Sequence, residues 1–309
     1  MNEEKITNNN QRKKKDQSSI LFAGLVRNCE KTISNQIEII DKAFDGFKDK
    51  SWIIVESDSE DNTLKVLNDL KEKFNIHIVS KGIMRETLPR RTERLANCRN
   101  EYIQLLNNNI NYRNIDYVVV VDLDGANKLL KQDAVDACWE SPIKWDACFA
   151  NQAGPYYDIW ALRHKYWSPN DYSESIKFFN NYKTSKSKYR DHLIYSKMIK
   201  IETDMDPIEV DSAFGGLGIY KKYLFDNCKY IGLDNKNNQI CEHISIHKNM
   251  KKQDVKFYIM PKLINDDWNE HSKQLLISYK IKKILISIVV GFFQIFISKK
   301  KIKSFFKKN

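Results

Sequence analysis

Apolar and polar positions repeat along the first half of the chain in one rhythm. The run ILFAGLVRN (residues 20–28) is apolar on both faces and predicts a buried strand. Behind it Ile33, Ile37, Ile40 and Phe44 recur at the spacing of a helix face. WIIVES (52–57) repeats the strand, and Leu64, Leu67, Leu70 and Phe74 repeat the helix. IHIVS (76–80) is a third strand, RRTERLANCRNEYIQLL a long polar helix, and YVVVVD (117–122) a fourth strand. Strands apolar on both faces that alternate with helices predict an α/β fold with a mostly parallel central sheet covered on each side.

Beyond the fourth strand the texture changes. Residues 142–192 are rich in aromatics and turn formers, which predicts loops over a site, and VKFYIMP (255–261) reads as a further strand. No internal repeat is visible. At 309 residues and 42% apolar content, a single elaborated domain over residues 17–272 is the expectation, after a polar, unstructured stretch at 1–16. Six scattered cysteines without a CxxC pair, and no secretory apolar segment at the N-terminus, point to reduced thiols in a cytoplasmic protein.

The formal charge of +11 would suit a nucleic-acid binder, but its distribution excludes that reading. Residues 273–309 hold ten lysines and no acid, so the preceding 272 residues carry +1. Within that tail, ILISIVVGFFQIFI (284–297) has no charge and is shorter than the roughly 20 residues of a membrane span. Its polar and small positions, with flanking lysines, fall on one helical stripe. That pattern predicts an amphipathic helix lying on a membrane surface, with a terminal core helix as the plain alternative.

The candidate chemistry begins where the valine strand ends. Alternation along an extended chain points Asp122 and Asp124 the same way and turns Leu123 aside, at the sheet edge where parallel sheets bind ligands. Two converging carboxylates suit Mg²⁺ or Mn²⁺ bridging a phosphate, and Gly125 removes a side chain where a ligand would approach. A solvated strand end, with Asp124 capping a following helix, is the alternative. In YYDIWALRH, Asp158, Trp160 and Arg163 suit a sugar acceptor, whose apolar faces stack on rings and whose hydroxyls pair with carboxylates; core aromatics are the other reading. DSAFGGLGIY places Gly215 and Gly216 near Asp211, either for close approach to a sugar or phosphate or for a turn of positive φ. In CEHISIH, Glu242 is a candidate general base, with His243 and His247 beside it.

VRNCE after the first strand, ESDSEDNT after the second, RTERLANCRNEYI before the acidic pair and the D-x-D itself together resemble the GT-A nucleotide-sugar glycosyltransferases, and within them the fungal capsule and cell-wall mannosyltransferases. The resemblance covers about residues 18–265. It implies a metal-dependent transfer of a sugar from a nucleotide-diphosphate donor. Asp122 and Asp124 match the D-x-D that orients the ion and the donor. Glu56 would lie by the nucleotide base or ribose, with Asp61 shaping the turn beside it, although Asp61 is also a good helix cap. Arg99 and Asn100 would face the diphosphate or sugar. The region of Asp211, Gly215 and Gly216 would serve donor-sugar and acceptor binding, with Asp211 joining Glu242 as a catalytic candidate. A late histidine, His247 or His243, would complete the metal site. With the basic tail, the implied acceptor is a glycan or a lipid-linked sugar at the cytoplasmic membrane face. The alternative within enzymes is a nucleotidyltransferase or phosphosugar transferase, although GLVRNCEKT lacks the glycine-rich, basic phosphate loop that such enzymes carry after the first strand, and a membrane-tethered, non-catalytic sugar-nucleotide-binding protein is the reading from another class.

Overall fold

The computed structural model describes residues 12–276 together with 281, 284 and 285. The chain divides after Asp267, and the unit up to that point holds the sheet. Its first half follows the repeating pattern. β1 (Ser19–Val26), α1 (Ile33–Ala43), β2 (Asp49–Glu56), α2 (Thr63–Leu70), β3 (Ile76–Ser80), α3 (Arg91–Asn108) and β4 (Tyr117–Asp122) succeed one another. β1 pairs in parallel with both β2 and β4, and β2 pairs in parallel with β3.

The cause is burial. Ile33, Ile37, Ile40 and Phe44 are all withdrawn from water against the sheet, each contributing roughly 1.5–3 kcal/mol. Under them Phe22 of β1 stacks on Trp52 of β2, ring centroids 4.2 Å apart. Gly24 in β1 has a packing role: a Cβ there would lie 2.5 Å from Leu123 Cδ1, so the missing side chain lets Leu123 seat directly on the strand.

The second half departs from the expected parallel sheet. α4 (Gln132–Glu140), β5 (Ala147–Gln152), α5 (Tyr172–Asn181), α6 (Lys186–Leu193), β6 (Ile208–Glu209), β7 (Leu217–Lys221), α7 (Glu242–Met250) and β8 (Phe257–Asp266) complete it. The strand order is β3-β2-β1-β4-β7-β5-β8-β6. β7 inserts antiparallel between β4 and β5, and β6 is antiparallel to β8, so the sheet is mixed with helices on its faces. β5 lies inside the region expected to be loop. Its sequence ACFANQ has no β-branched residue, yet all six positions are buried, because it lies between β7 and β8.

Residues 12–16 correct the expectation of an unstructured start. The Arg12 guanidinium donates to the carbonyls of Cys138, Ser141 and Ile143 and lies over the Trp145 ring, while Lys13 pairs with Asp116 at 2.9 Å. Arg12 and Lys13 thus anchor the chain ahead of β1. From Trp268 the second unit turns at Asn269–Ser272, where Asn269 Oδ1 accepts from Ser272 N at 3.2 Å, and is helical at 273–276. The expected amphipathic helix at 284–297 falls almost wholly outside the described residues, among which no helix is long and apolar enough to cross a membrane.

Candidate active site

At the end of β4 the expected alternation holds. Leu123 is buried, whereas Asp122 is half-buried and Asp124 is exposed. Gly125 follows with φ of +107° and open space where a Cβ would stand. The segment is not the helix start that would have made Asp124 a cap; it is a turn, and the next helix begins only at Gln132.

A network of buried amides fixes this turn from below. Asn127 donates to the Asp122 carbonyl at 2.7 Å, and its own N–H donates to Gln36 Oε1 at 3.3 Å. Asn265 donates to Asn127 Oδ1 at 3.0 Å and to the Gly215 carbonyl at 2.8 Å, and Gln152 donates to the same carbonyl at 3.1 Å. The Asp122 N–H donates to the Gly216 carbonyl at 2.9 Å. Gly215 and Gly216 adopt φ of +67° and +85°, and a Cβ on Gly215 would lie 2.8 Å from the Ala150 carbonyl oxygen. Their conformation therefore serves the junction of β4, β5 and β7, the turn reading of the pair.

Beside the turn lies a cluster of charged side chains. Arg99 of α3 is buried between the Phe214 and Tyr230 rings, 5.6 Å from each centroid. Its Nε donates to Glu242 Oε1 at 3.3 Å, and its Nη2 is 3.7 Å from Asp122 Oδ1. Its Nη1 is buried and makes no hydrogen bond among the described residues. Burial, reinforced by Asp124, Asp158 and Glu242 and opposed by Arg99, pushes the Asp122 carboxyl up to about 7. Burial and the charges of Asp122, Asp158 and Asp124 also push up the Tyr157 hydroxyl. Asp122 and Glu242 thus share one buried guanidinium, with Asp124 and Asp158 close enough to Asp122 to raise its carboxyl further.

The donor chemistry of the acidic pair fits a divalent cation, since two carboxylates two residues apart at one strand end are hard oxygen ligands. No group of three or more His, Cys, Asp or Glu side chains among the described residues is placed to hold a metal ion. A cation here would rest on Asp122 and Asp124 and take its other ligands from phosphate oxygens and water, the habit of Mg²⁺-type sites.

Glu242 stands at the first position of α7, buried, with His243 stacked on Phe214 at 3.9 Å. Burial, then the charges of Arg99 and His247, holds the His243 imidazole well below its usual range. Asp158 belongs to this group, its Oδ2 accepting from the Gly215 N–H at 3.1 Å and its Oδ1 from the Ala161 N–H at 3.2 Å.

Several expected site residues are placed otherwise. His247 is not a metal ligand here: its Nδ1 faces the Ser212 hydroxyl at 2.8 Å and its Nε2 the Tyr220 hydroxyl at 2.9 Å, in a fully buried position. Asp211 is a surface residue, its side chain 72% exposed and 3.8 Å from Lys251. Asn100 clamps the backbone of Tyr230 through two hydrogen bonds, of 3.0 and 2.8 Å, and so supports the ring beside Arg99. Arg163 pairs with Asp171 at 2.8 Å and bonds the carbonyl of Leu162, while Trp160 packs on Tyr172. Glu56 accepts from the Ser59 N–H at 2.9 Å and the Ser80 hydroxyl at 2.6 Å, closing the ends of β2 and β3. Asp61 accepts from the N–H groups of Glu30 and Thr63 at 3.1 and 3.0 Å, one residue ahead of Asn62, the N-cap of α2.

Sequence reasoning missed Tyr157, Phe214 and Tyr230, and the amides of Gln36, Asn127, Gln152 and Asn265. Tyr157 precedes Asp158 directly, and that adjacency was a usable signal. The amides carry none, because each lies alone in its own segment.

A family model described as Cryptococcal mannosyltransferase 1 matches residues 19–278. No curated protein matches the sequence. Among solved structures, S. aureus TarS 1–349 in complex with UDP-GlcNAc is 12% identical over 82% of this chain and 60% of that one, with a TM-score of 0.46. The mannosyltransferase PcManGT from Pyrobaculum calidifontis, in complex with GDP-Man and Mn²⁺, is 13% identical over 81% of this chain and 56% of that one, with a TM-score of 0.45. The chain thus spans less than two thirds of the length of either.

Proposed function

The chain belongs to the family described as Cryptococcal mannosyltransferase 1, and on that premise we propose that it is a metal-dependent glycosyltransferase of the GT-A type, moving a hexose from a nucleotide-diphosphate donor to a glycan or lipid-linked acceptor. The observation that carries the reading is the cluster at the end of β4, where Asp122 and Asp124 are presented beside the buried Arg99–Glu242 pair. A parallel sheet delivers such residues to its ligand-binding edge.

Mn²⁺ or Mg²⁺ held by Asp122 and Asp124 would neutralise charge building on the departing diphosphate. The protein's own residues do the rest. Arg99 Nη1, buried and without a hydrogen-bond partner among the described residues, would donate to an anionic oxygen of the donor. Because it is buried and pinned between two rings, its position costs no reorganisation during reaction. Glu242 has Oε1 engaged by Arg99, and its other oxygen, Oε2, takes the proton from the attacking hydroxyl. Asp158, held by the N–H groups of Ala161 and Gly215, orients that acceptor, with Tyr157 beside it.

The basic tail at 273–309 supports a membrane-face acceptor and a cytoplasmic, peripheral location. A transfer assay tests the reading: purified protein with Mn²⁺ and a panel of nucleotide sugars, GDP-mannose first. Donor turnover that falls about 10²- to 10⁴-fold in Glu242→Gln is expected. No turnover or binding of any donor, with or without metal, overturns it.

A further inference from the structure

The segment between β5 and β6 carries a face that the transfer reaction does not use. α5 buries none of its residues, although it contains Ile176, Phe178 and Phe179. Phe178 is 57% exposed and Tyr182 71% exposed, and their rings pack together at 4.9 Å, with Phe179 against Phe178 at 5.6 Å. An apolar cluster of this kind is held toward water by the end of the helix, where Lys183 takes φ of +52° and turns the chain into α6.

Charge around the cluster is mixed, with a basic excess. From residue 171 to 191 there are five basic residues and three acids, Asp171, Glu174 and Asp191, and the run 175–190 between them holds all five bases. Lys183, Lys186 and Lys188 are exposed and form no ion pair among the described residues, and Lys177 reaches Asp234 only at 3.4 Å. Exposed rings flanked by lysines are the arrangement that suits the boundary of an anionic bilayer, where rings sit at head-group level and ammonium groups meet lipid phosphates and carboxylates. A second copy of this chain would bring the same positive charge to the face, and a neutral glycan would use the rings but gain little from the lysines.

We propose that the α5–α6 hairpin docks the protein on an anionic membrane surface, by contacts separate from the C-terminal tail. The proposal rests on the membrane-face part of the reading above, and it makes the hairpin a second contact, on the sheet-bearing unit itself. Salt weakens this contact, since its charges are exposed.

The test uses the full chain, so that the tail is common to every sample. Sedimentation with vesicles of phosphatidylcholine alone, and of phosphatidylcholine with phosphatidylserine, is compared for the native protein, the triple variant K183Q/K186Q/K188Q and the double variant F178S/Y182S. Loss of three lysine contributions lowers partitioning to the anionic vesicles on the order of 100-fold, with little change on neutral ones. In a Phe178→Trp protein, brominated lipid quenches fluorescence beyond that of the native tryptophans. Unchanged partitioning in both variants, or no added quenching at position 178, overturns the proposal. So does a variant that loses self-association in sedimentation velocity while keeping its vesicle binding, which would assign the face to a second copy. Donor binding, followed by thermal shift, is unaffected in these variants, so failure here is distinct from failure of the transferase reading.

Discussion

Helices α1 and α5 are 11 and 10 residues long, and both carry apolar side chains at helical spacing. α1 buries Ile33, Gln36, Ile37, Ile40 and Ala43, and α5 buries nothing. The pattern that defines a helix face does not say what covers it. In α1 the cover is the sheet, and the buried Gln36 reaches through to hold the turn after Asp122. In α5 the cover is partial: Phe179 packs on Tyr189 and His192 of α6, while Phe178 stays exposed. The same contrast separates the crevice beyond β4, whose geometry is imposed by burial, from the hairpin, whose chemistry is imposed by exposure.

Substitutions on the two sides should therefore behave differently, and the largest effect is expected at Arg99. Arg99→Ala leaves Glu242 and Asp122 without their buried partner and is expected to lower stability by about 3–5 kcal/mol. Urea unfolding measures this; a loss no larger than that of a surface arginine would mean the crevice is not organised by burial. Ile37→Ala in α1 is expected to cost about 2–5 kcal/mol, since it opens a void against the sheet.

His247 gives the crevice side a pH dependence. Burial, then the charges of Lys251 and Arg99, lowers its imidazole to about 3 from the usual 6.5. The folded chain therefore holds it neutral while the unfolded chain protonates it. Its contribution is complete above about 6.5 and is lost as pH falls toward about 3. His247→Gln should flatten the fall in unfolding free energy across that window, leaving the part due to His243, which is shifted the same way. An unchanged slope would show that His247 is not buried and neutral. The smallest effect is expected at Phe178→Ser, within about 0.5 kcal/mol of the native stability, because its ring is already in water. A large loss there would erase the distinction between the two helices.

What was legible in the sequence follows the same division. β3 spans the residues read for it, and Ile33, Ile37, Ile40 and Phe44 all reached the core, because local periodicity reports local burial. β5 was hidden, since Ala147, Cys148, Asn151 and Gln152 have no strand preference and are held by neighbouring strands. Asp122 and Asp124 were legible because alternation acts over two residues. The direct partnership of Arg99 with Glu242, 143 positions apart, was not, although each was singled out by itself. His247 misled because a histidine near a glutamate looks the same in sequence whether its nitrogens face a metal or, as here, Ser212 and Tyr220.

The central claim is that the end of β4 holds a cation and a donor diphosphate. Calorimetric titration of the native protein and of D122N/D124N with GDP and UDP, each with and without Mn²⁺, tests it most directly. The double variant should remain folded, because it removes carboxylates whose crowding is unfavourable. The account predicts metal-dependent binding in the native protein, weakened at least about tenfold, or about 1.4 kcal/mol, in the variant. Equal affinity in both proteins, or native binding indifferent to Mn²⁺, would contradict it.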